Sequence, residues 1–321
     1  MQRLSSVLLT LCLCLSLMQP AAAQSPVWPA KPVRIVVVAA PGGSVDNAIR
    51  PFIEPLSMAF GQLFVIENRG GASGAIGAEF VAKAPPDGYT FVAMSSSTAS
   101  ILPNLRKLAF DTFKDLTPVT NFAEAAQLLT VNATVPVTTV ADLVAYAKAN
   151  PGKINFGNVG QGTASHLFSE QFAKSAGIQI TQVAYRGGGE ALADFLAGVT
   201  QLYFDPNALP HIKSGKVRLL AVLDRERHSD FPNVPTLQEL YPECDAVWWF
   251  GLFAPAGTPE AIIRRLAGEI SRIASMPEVK QALASVALKP RSTTPEETLA
   301  LQRRDHDRFG RLARELNLRL D

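Results

Sequence analysis

The segment "VRIVVVA" at 33–39 constrains this chain more than any other. It is a nearly unbroken run of apolar, mostly β-branched residues between prolines. That pattern belongs to a strand covered on both faces, which a sheet flanked by helices provides. A helix pattern follows at once. From about Asp46 to Phe60, apolar residues recur at helical spacing: Ile49, Phe52, Ile53, Leu56 and Phe60.

The alternation continues. "QLFVIEN" (62–68) reads as a strand, "GAIGAEFVAKA" (74–84) as a helix, "PPDGYT" (85–90) as a turn and "TFVAMS" (90–95) as a strand. Around 103–124 the periodicity fades, and "LTPVTNFAEAAQ" reads as a connection. A second series then begins with the strand "LLTVN" (128–132) and a Thr-capped helix that a Pro-Gly pair stops. "KINFGN" (153–158), "IQITQVAY" (178–185), "TQLYFD" (200–205) and "VRLLAVL" (217–223) supply further strands, with helices between them. "AVWWFGLFAPAGTP" (246–259) is strand-like, and two or three helices close the chain. Such alternation implies parallel sheets covered by helices. Two series separated near residue 125 imply two α/β lobes. The right-handed crossover rule puts the strand-to-helix loops of a lobe at one sheet edge, where open α/β sheets bind ligands.

The N-terminus follows another logic. Arg3, the apolar run Leu4 to Met18, and small residues at Ala21 and Ala23 form a signal-peptide pattern, with cleavage expected near Ala23 and export to the periplasm. The run is short for a membrane anchor. Removing residues 1–23 removes Cys12 and Cys14 and leaves Cys244 alone, so no internal disulfide is expected. A net charge of +2 offers no broad basic surface for nucleic acid.

Four strand-to-helix turns carry glycines: Pro41-Gly42-Gly43-Ser44-Val45-Asp46, "NRGGASGAIG" (68–77), "GNVGQGTASH" (157–166) and "YRGGGEAL" (185–192). Free backbone N–H groups and the helix dipole at such turns favour an anion. The simplest arrangement aims one helix N-terminus from each lobe at the same small anion. Asp46 is expected to fix its loop by accepting N–H bonds, because a carboxylate facing an anionic ligand would repel it. Asp205, at a strand end, either holds a water or ligand amine or caps the next helix. Arg69 and Arg186 either pair with a carboxylate or are rim charges.

Enzyme motifs find little support. "GQGTAS" (160–165) has Ser165 where the dinucleotide fingerprint needs its third glycine. There is no G-x-x-x-x-G-K-[ST] and no G-x-S-x-G. His166, His211, His228 and His306 are not spaced for zinc, and no metal or other cofactor is expected. The catalytic alternative is a secreted α/β hydrolase using Ser44 or Ser165, with His166 and Asp205. It would place a serine hydroxyl within reach of His166, whereas the simpler role of His166 is to cap or pack the loop it follows.

The segments "WPAKPVRIVVVAAPGGSVDNAIR", "VIENRGGASGAIGAEFVAKAPPDGYT", "FGNVGQGTASHL", "VAYRGGGEALADFLAGVTQLYFD", "GKVRLLAV", "VPTLQE" and "WWFGLFAPAGTP" resemble, in order and spacing, the Bug family. These are the extracytoplasmic solute-binding receptors (TctC type) of tripartite tricarboxylate transport. The resemblance implies a two-lobed periplasmic binding protein of type II that closes on its ligand. Lobe 1 would comprise residues 24–124 plus about 226–321, and lobe 2 residues 125–225. It implies a monomer that binds a small carboxylate through backbone groups and ordered waters, does no chemistry, and serves the permease subunits of a membrane transporter; a signalling partner is the alternative. The binding residues it implies are Pro41, Gly42, Gly43, Ser44 and Asp46 in one lobe and Gly160, Gly162, Thr163, Ser165 and His166 in the other, with Tyr185, Gly187 and Asp205 nearby. Glu190 stands where the family usually has proline. A carboxylate there would favour an amino acid or aromatic carboxylate over a plain dicarboxylate.

Overall fold

The computed structural model describes residues 28–320 apart from 159, 161, 186, 187, 225, 245 and 246. The proposed signal peptide and Gly187 therefore lie outside the described residues.

The strands form two sheets. The first joins β1 (Val33–Val37), β2 (Phe64–Asn68), β3 (Thr90–Ser95), β4 (Leu116–Ala125), β10 (Trp248–Pro255) and β11 (Leu288–Pro290), in the order β11-β4-β10-β3-β1-β2. The second joins β5 (Gln127–Asn132), β6 (Asn155–Asn158), β7 (Thr181–Ala184), β8 (Leu202–Phe204) and β9 (Val217–Leu223), in the order β7-β6-β8-β5-β9. The β-branched run at 33–37 is an interior strand, paired in parallel with β2 and β3, and four of its five residues are buried. Helices α1 (Ser44–Phe60), α2 (Ala75–Ala82), α3 (Val140–Ala149), α4 (Ala164–Ala176) and α5 (Gly188–Leu196) alternate with the strands. Helices α6 (Glu260–Ala274), α7 (Pro277–Ala284) and α8 (Pro295–Glu315) follow β10.

Two sequence expectations are corrected. The sheets are mixed rather than parallel: β10 is antiparallel to β3 and β4, and β5 is antiparallel to β8 and β9. Each is the first strand after the chain changes sheet. β4 runs out of the first sheet at Ala125, and β5 begins at Gln127. A strand that enters a sheet from the facing edge must run opposite to strands that end at that edge.

The stretch expected to be a connection is β4, a ten-residue strand between β10 and β11. Its register against β10 shifts twice, so that Val119 and Phe122 have no opposite residue. Each bulge adds one residue and reverses the side-chain alternation, which erases period 2 from the sequence. Asn121 N–H donates to the hydroxyls of Thr293 and Thr298, at 3.0 Å each.

The largest apolar cluster runs through both sheets, including Phe52, Phe122, Phe156, Phe204, Trp249 and Phe253. Helix α8 is pinned to it by polar contacts in a dry environment. Trp249 is fully buried, and its Nε1–H donates to Asp305 Oδ2 at 2.6 Å. The same helix reaches the other lobe through the ring contact of Phe309 with Phe168 (5.8 Å between centroids) and the ion pair of Glu315 with Lys174 (2.6 Å).

Trp249→Phe keeps an aromatic side chain, though a smaller one, and leaves the Asp305 carboxyl without the indole donor. The variant is expected to unfold about 1–3 kcal/mol more easily, read as a lower urea midpoint at unchanged slope.

Candidate functional site

The first glycine loop follows from where β1 ends. The chain turns at Ala40, whose carbonyl accepts Gly43 N–H at 3.0 Å. Gly42 has φ 77°, a left-handed conformation that a side chain would strain. Helix α1 begins at Ser44, and its first bond runs from Asn47 N–H to Gly43 O at 2.9 Å. The amides of Ser44, Val45 and Asp46 therefore have no helical acceptor.

Asp46 holds this loop in shape. It is buried, and its Oδ2 accepts Gly42 N–H at 2.9 Å. Arg50 donates to both carboxylate oxygens at 2.7–3.1 Å. Asn68, at the end of β2, donates from Nδ2 to Asp46 Oδ1 and to Ala39 O, each at 3.0 Å. Burial acts to raise the Asp46 pKa, but the bonds from Asn68, Gly42 and Arg50 together outweigh it and leave the carboxyl below its ordinary value. One carboxylate thus joins the loop, its helix and the neighbouring strand.

The second helix start is built differently. Helix α4 opens after Thr163, with Leu167 N–H bonded to Thr163 O at 3.1 Å. Ala164 N–H donates to Ser97 Oγ at 3.0 Å. Ser97 lies in a π-helical turn, Ser97–Ile101, that follows β3 of the first sheet. This bond crosses between the lobes. Gly162, at φ 75°, lies where a Cβ would meet the side chains of Leu320 and Leu105. The end of the chain is fixed there by Leu320 N–H to Leu105 O at 2.8 Å.

Both helix starts open on one cleft of about 800 Å³. Of the residues expected to bind, Pro41, Gly42, Gly43, Ser44, Gly160, Thr163, Ser165, Tyr185 and Asp205 line it. Asp46, Gly162 and His166 do not; they stand behind the lining. The glycine loop at 68–77 also reaches it, through Gly70 to Gly74. The described lining residues include no lysine or arginine. Arg69 is turned to Glu67 and lies 3.7 Å over the Phe80 ring. Glu190 is exposed and does not line the cleft, which removes the argument against a dicarboxylate.

The sequence reading missed Ser95, Ser97, Thr98, Gln127, Asn207 and Trp248, all in the lining. A signal for the first three was present: "SSST" (95–98) is a hydroxyl run at the end of an apolar strand. Gln127 and Trp248 gave none, because each is brought in only by the change of sheet.

The titratable groups do not form a catalytic set. His166 Nδ1 accepts Gly162 N–H at 3.2 Å, and its Nε2 lies 3.9 Å from Glu170 Oε1. Burial lowers the His166 pKa, so the ring is neutral and braces its own loop. Tyr185 donates its hydroxyl proton to Asp194 Oδ2 at 2.7 Å. Burial and that carboxylate push the phenol up to about 12. Asp205 caps the turn Pro206–Ala208, accepting Asn207 N–H at 2.8 Å. It is buried, and burial pushes its carboxyl up to about 7 despite that bond. Among the described residues there is no group of side chains fit to hold a metal ion, and no helix long and apolar enough to cross a membrane.

Comparisons with known proteins fit this geometry. Residues 49–318 match the family model described as "Tripartite tricarboxylate transporter family receptor". The chain is similar to Protein BugT of Bordetella pertussis, at 34% identity over 91% of each chain. Among solved structures, it superposes on one described as a periplasmic transporter with TM-score 0.85 and 36% identity, over 92% of this chain and 100% of the other. It matches Rpa4515 of R. palustris with adipate at TM-score 0.83 and 33% identity, over 89% and 97% of the two chains. It also matches MatC of Rhodopseudomonas palustris with bound malate at TM-score 0.80 and 29% identity, over 89% and 99%.

Two carboxyls give opposite pH signatures. Asp46 is depressed, so its stabilisation is complete above its unfolded value of about 3.8 and is lost as pH falls through its lower folded value. Asp46→Ala should cost ~2 kcal/mol at pH 7, and in urea titrations that gap should close in acid. Asp205 is raised, so the folded state is favoured below its unfolded value of 3.8 and loses that advantage as pH rises through about 7. Asp205→Asn should therefore gain melting temperature relative to wild type between pH 5 and pH 8, measured by calorimetry.

Proposed function

Because the chain belongs to the tripartite tricarboxylate transporter receptor family, whose relatives are periplasmic binding proteins and not enzymes, we propose that it captures a small carboxylate in its cleft and presents it to a membrane permease. The observation that carries this reading is the pair of helix N-termini, one from each lobe, on a cleft whose described lining has no basic side chain. An anion there is held by backbone amides and hydroxyls, aided by the helix dipoles. In a water-poor cleft such charge-assisted bonds reach the ~8 kcal/mol of a micromolar complex.

Pro41 to Ser44 and Asp46 serve from one lobe, and Gly160 to His166 from the other, with Tyr185, Gly187 and Asp205 beside them. Asp46, Gly162 and His166 act by shaping the loops. In this reading lobe 1 comprises residues 24–124 with about 226–321 and lobe 2 residues 125–225, a division that the change of sheet supports. Closure brings α4 against Ser97, so the bond between Ala164 and Ser97 belongs to the closed form that a permease would recognise. The malate and adipate carried by related structures support a di- or hydroxycarboxylate. Export, with loss of residues 1–23, places the protein in the periplasm.

The test is calorimetric titration and thermal shift of residues 24–321, refolded from denaturant to strip copurified ligand. The panel covers mono-, di-, tri- and aromatic carboxylates. At least one member should bind near micromolar Kd and raise Tm by about 5 °C at a hundredfold excess over Kd. Silence across the panel, or turnover of any member, would overturn the reading.

A further inference from the structure

One part of the cleft wall carries hydrogen-bonding capacity that the protein does not use. Trp248 and Gln127 both line the cleft and are buried, 6% and 1% exposed. Trp248 Nε1 and Gln127 Oε1 have no hydrogen-bond partner. Most buried polar atoms in folded proteins are paired, so an orphaned donor and an orphaned acceptor lining the same cleft point to something that binds there.

The topology brings a third group to the same place. Gln127 opens β5, and Asp205 directly follows β8. The antiparallel register Leu129↔Phe204 sets Asp205 opposite Leu128 at the strand end, and Asp205 and Gln127 both line the cleft. Trp248 opens β10 opposite Ala125, where the chain passes from one sheet to the other. Asp205 Oδ1 accepts Asn207 N–H at 2.8 Å. Trp248, Gln127 and Asp205 thus line one cleft at the place where the chain passes between the sheets.

We propose that Trp248, Gln127 and Asp205 form a hydroxyl subsite, so that the ligand is a hydroxycarboxylate. This deepens the carboxylate reading and rests on it. The indole N–H can only donate and the Gln127 oxygen can only accept. A carboxylate oxygen would satisfy Trp248 but would lie against the oxygen of Gln127, and against those of Asp205 whenever that carboxyl is ionised. An ammonium would satisfy those oxygens but leave the indole N–H orphaned, and a methylene would leave both orphaned. A hydroxyl accepts from Trp248 and donates to Gln127 or Asp205. A site built to bond a hydroxyl discriminates against the analogue lacking it, because its own groups are then left unpaired.

The experiment is titration calorimetry of wild type and Trp248→Phe with matched pairs: malate against succinate, citrate against tricarballylate, and 4-hydroxybenzoate against benzoate. In at least one pair the hydroxylated member should bind wild type at least about tenfold tighter. Trp248→Phe should shrink that margin to about twofold, with the affinity for the other member unchanged. If circular dichroism shows Trp248→Phe to be misfolded, Gln127→Met should shrink the margin in the same way. Equal binding within every pair, preference for the unhydroxylated member, or equal losses for both members in the variant would overturn the subsite and leave the carboxylate function standing. Failure of wild type to bind any of the six would overturn the subsite, while the wider carboxylate panel decides the carboxylate function separately.

Discussion

The chain leaves one sheet at Ala125 and enters the other at Gln127, and much of the molecule follows from having one residue between them. So short a passage requires the two sheets to face each other edge to edge. It requires β5 to run against its neighbours, because the strand enters at the edge where they end. β10 enters in the same sense on the return. Strand-to-helix loops collect at those edges, so two sets of glycine turns converge on one cleft without any long insertion.

Electrostatically, the cleft is organised by groups set behind its surface. Asp46 spends its charge on Gly42, Arg50 and Asn68. A buried carboxylate with this many donors stays ionised yet shows little negative potential to the lining, so the loop amides remain available to an anion. His166 performs a neutral version of the same task for Gly162. Asp205 is different: it faces the cleft, burial opposes its ionisation, and it can present a proton where an ionised carboxylate would repel.

Helix α8 and the residues after it form the third part of the arrangement. The helix is pinned to the first sheet by Trp249 and Asp305, and to the second lobe by Phe309 and Glu315. Leu320 then packs where a side chain at Gly162 would stand. The chain end thus braces the loop that opens α4. A change in lobe separation must break or slide these contacts together with the bond between Ser97 and Ala164.

The amino-acid sequence by itself determined the α/β class, the strand runs at 33–37, 90–95 and 217–223, and the glycine turns at the cleft. Each is a local property: a β-branched run, a helical period, or a residue able to adopt φ above zero. The role of Asp46 in holding its loop was legible for the same reason, because its partners Gly42 and Arg50 are four residues away on either side. Only the tertiary structure decided the rest. The bulges of β4 cancelled the alternation that would have revealed a strand. Asn68 joined the Asp46 network across a sheet, and Ser97 reached α4 from the other lobe. Trp248 and Gln127 became cleft residues because two distant segments pass between the same sheets. These are contacts between residues remote in sequence, fixed by packing and strand register rather than by local pattern.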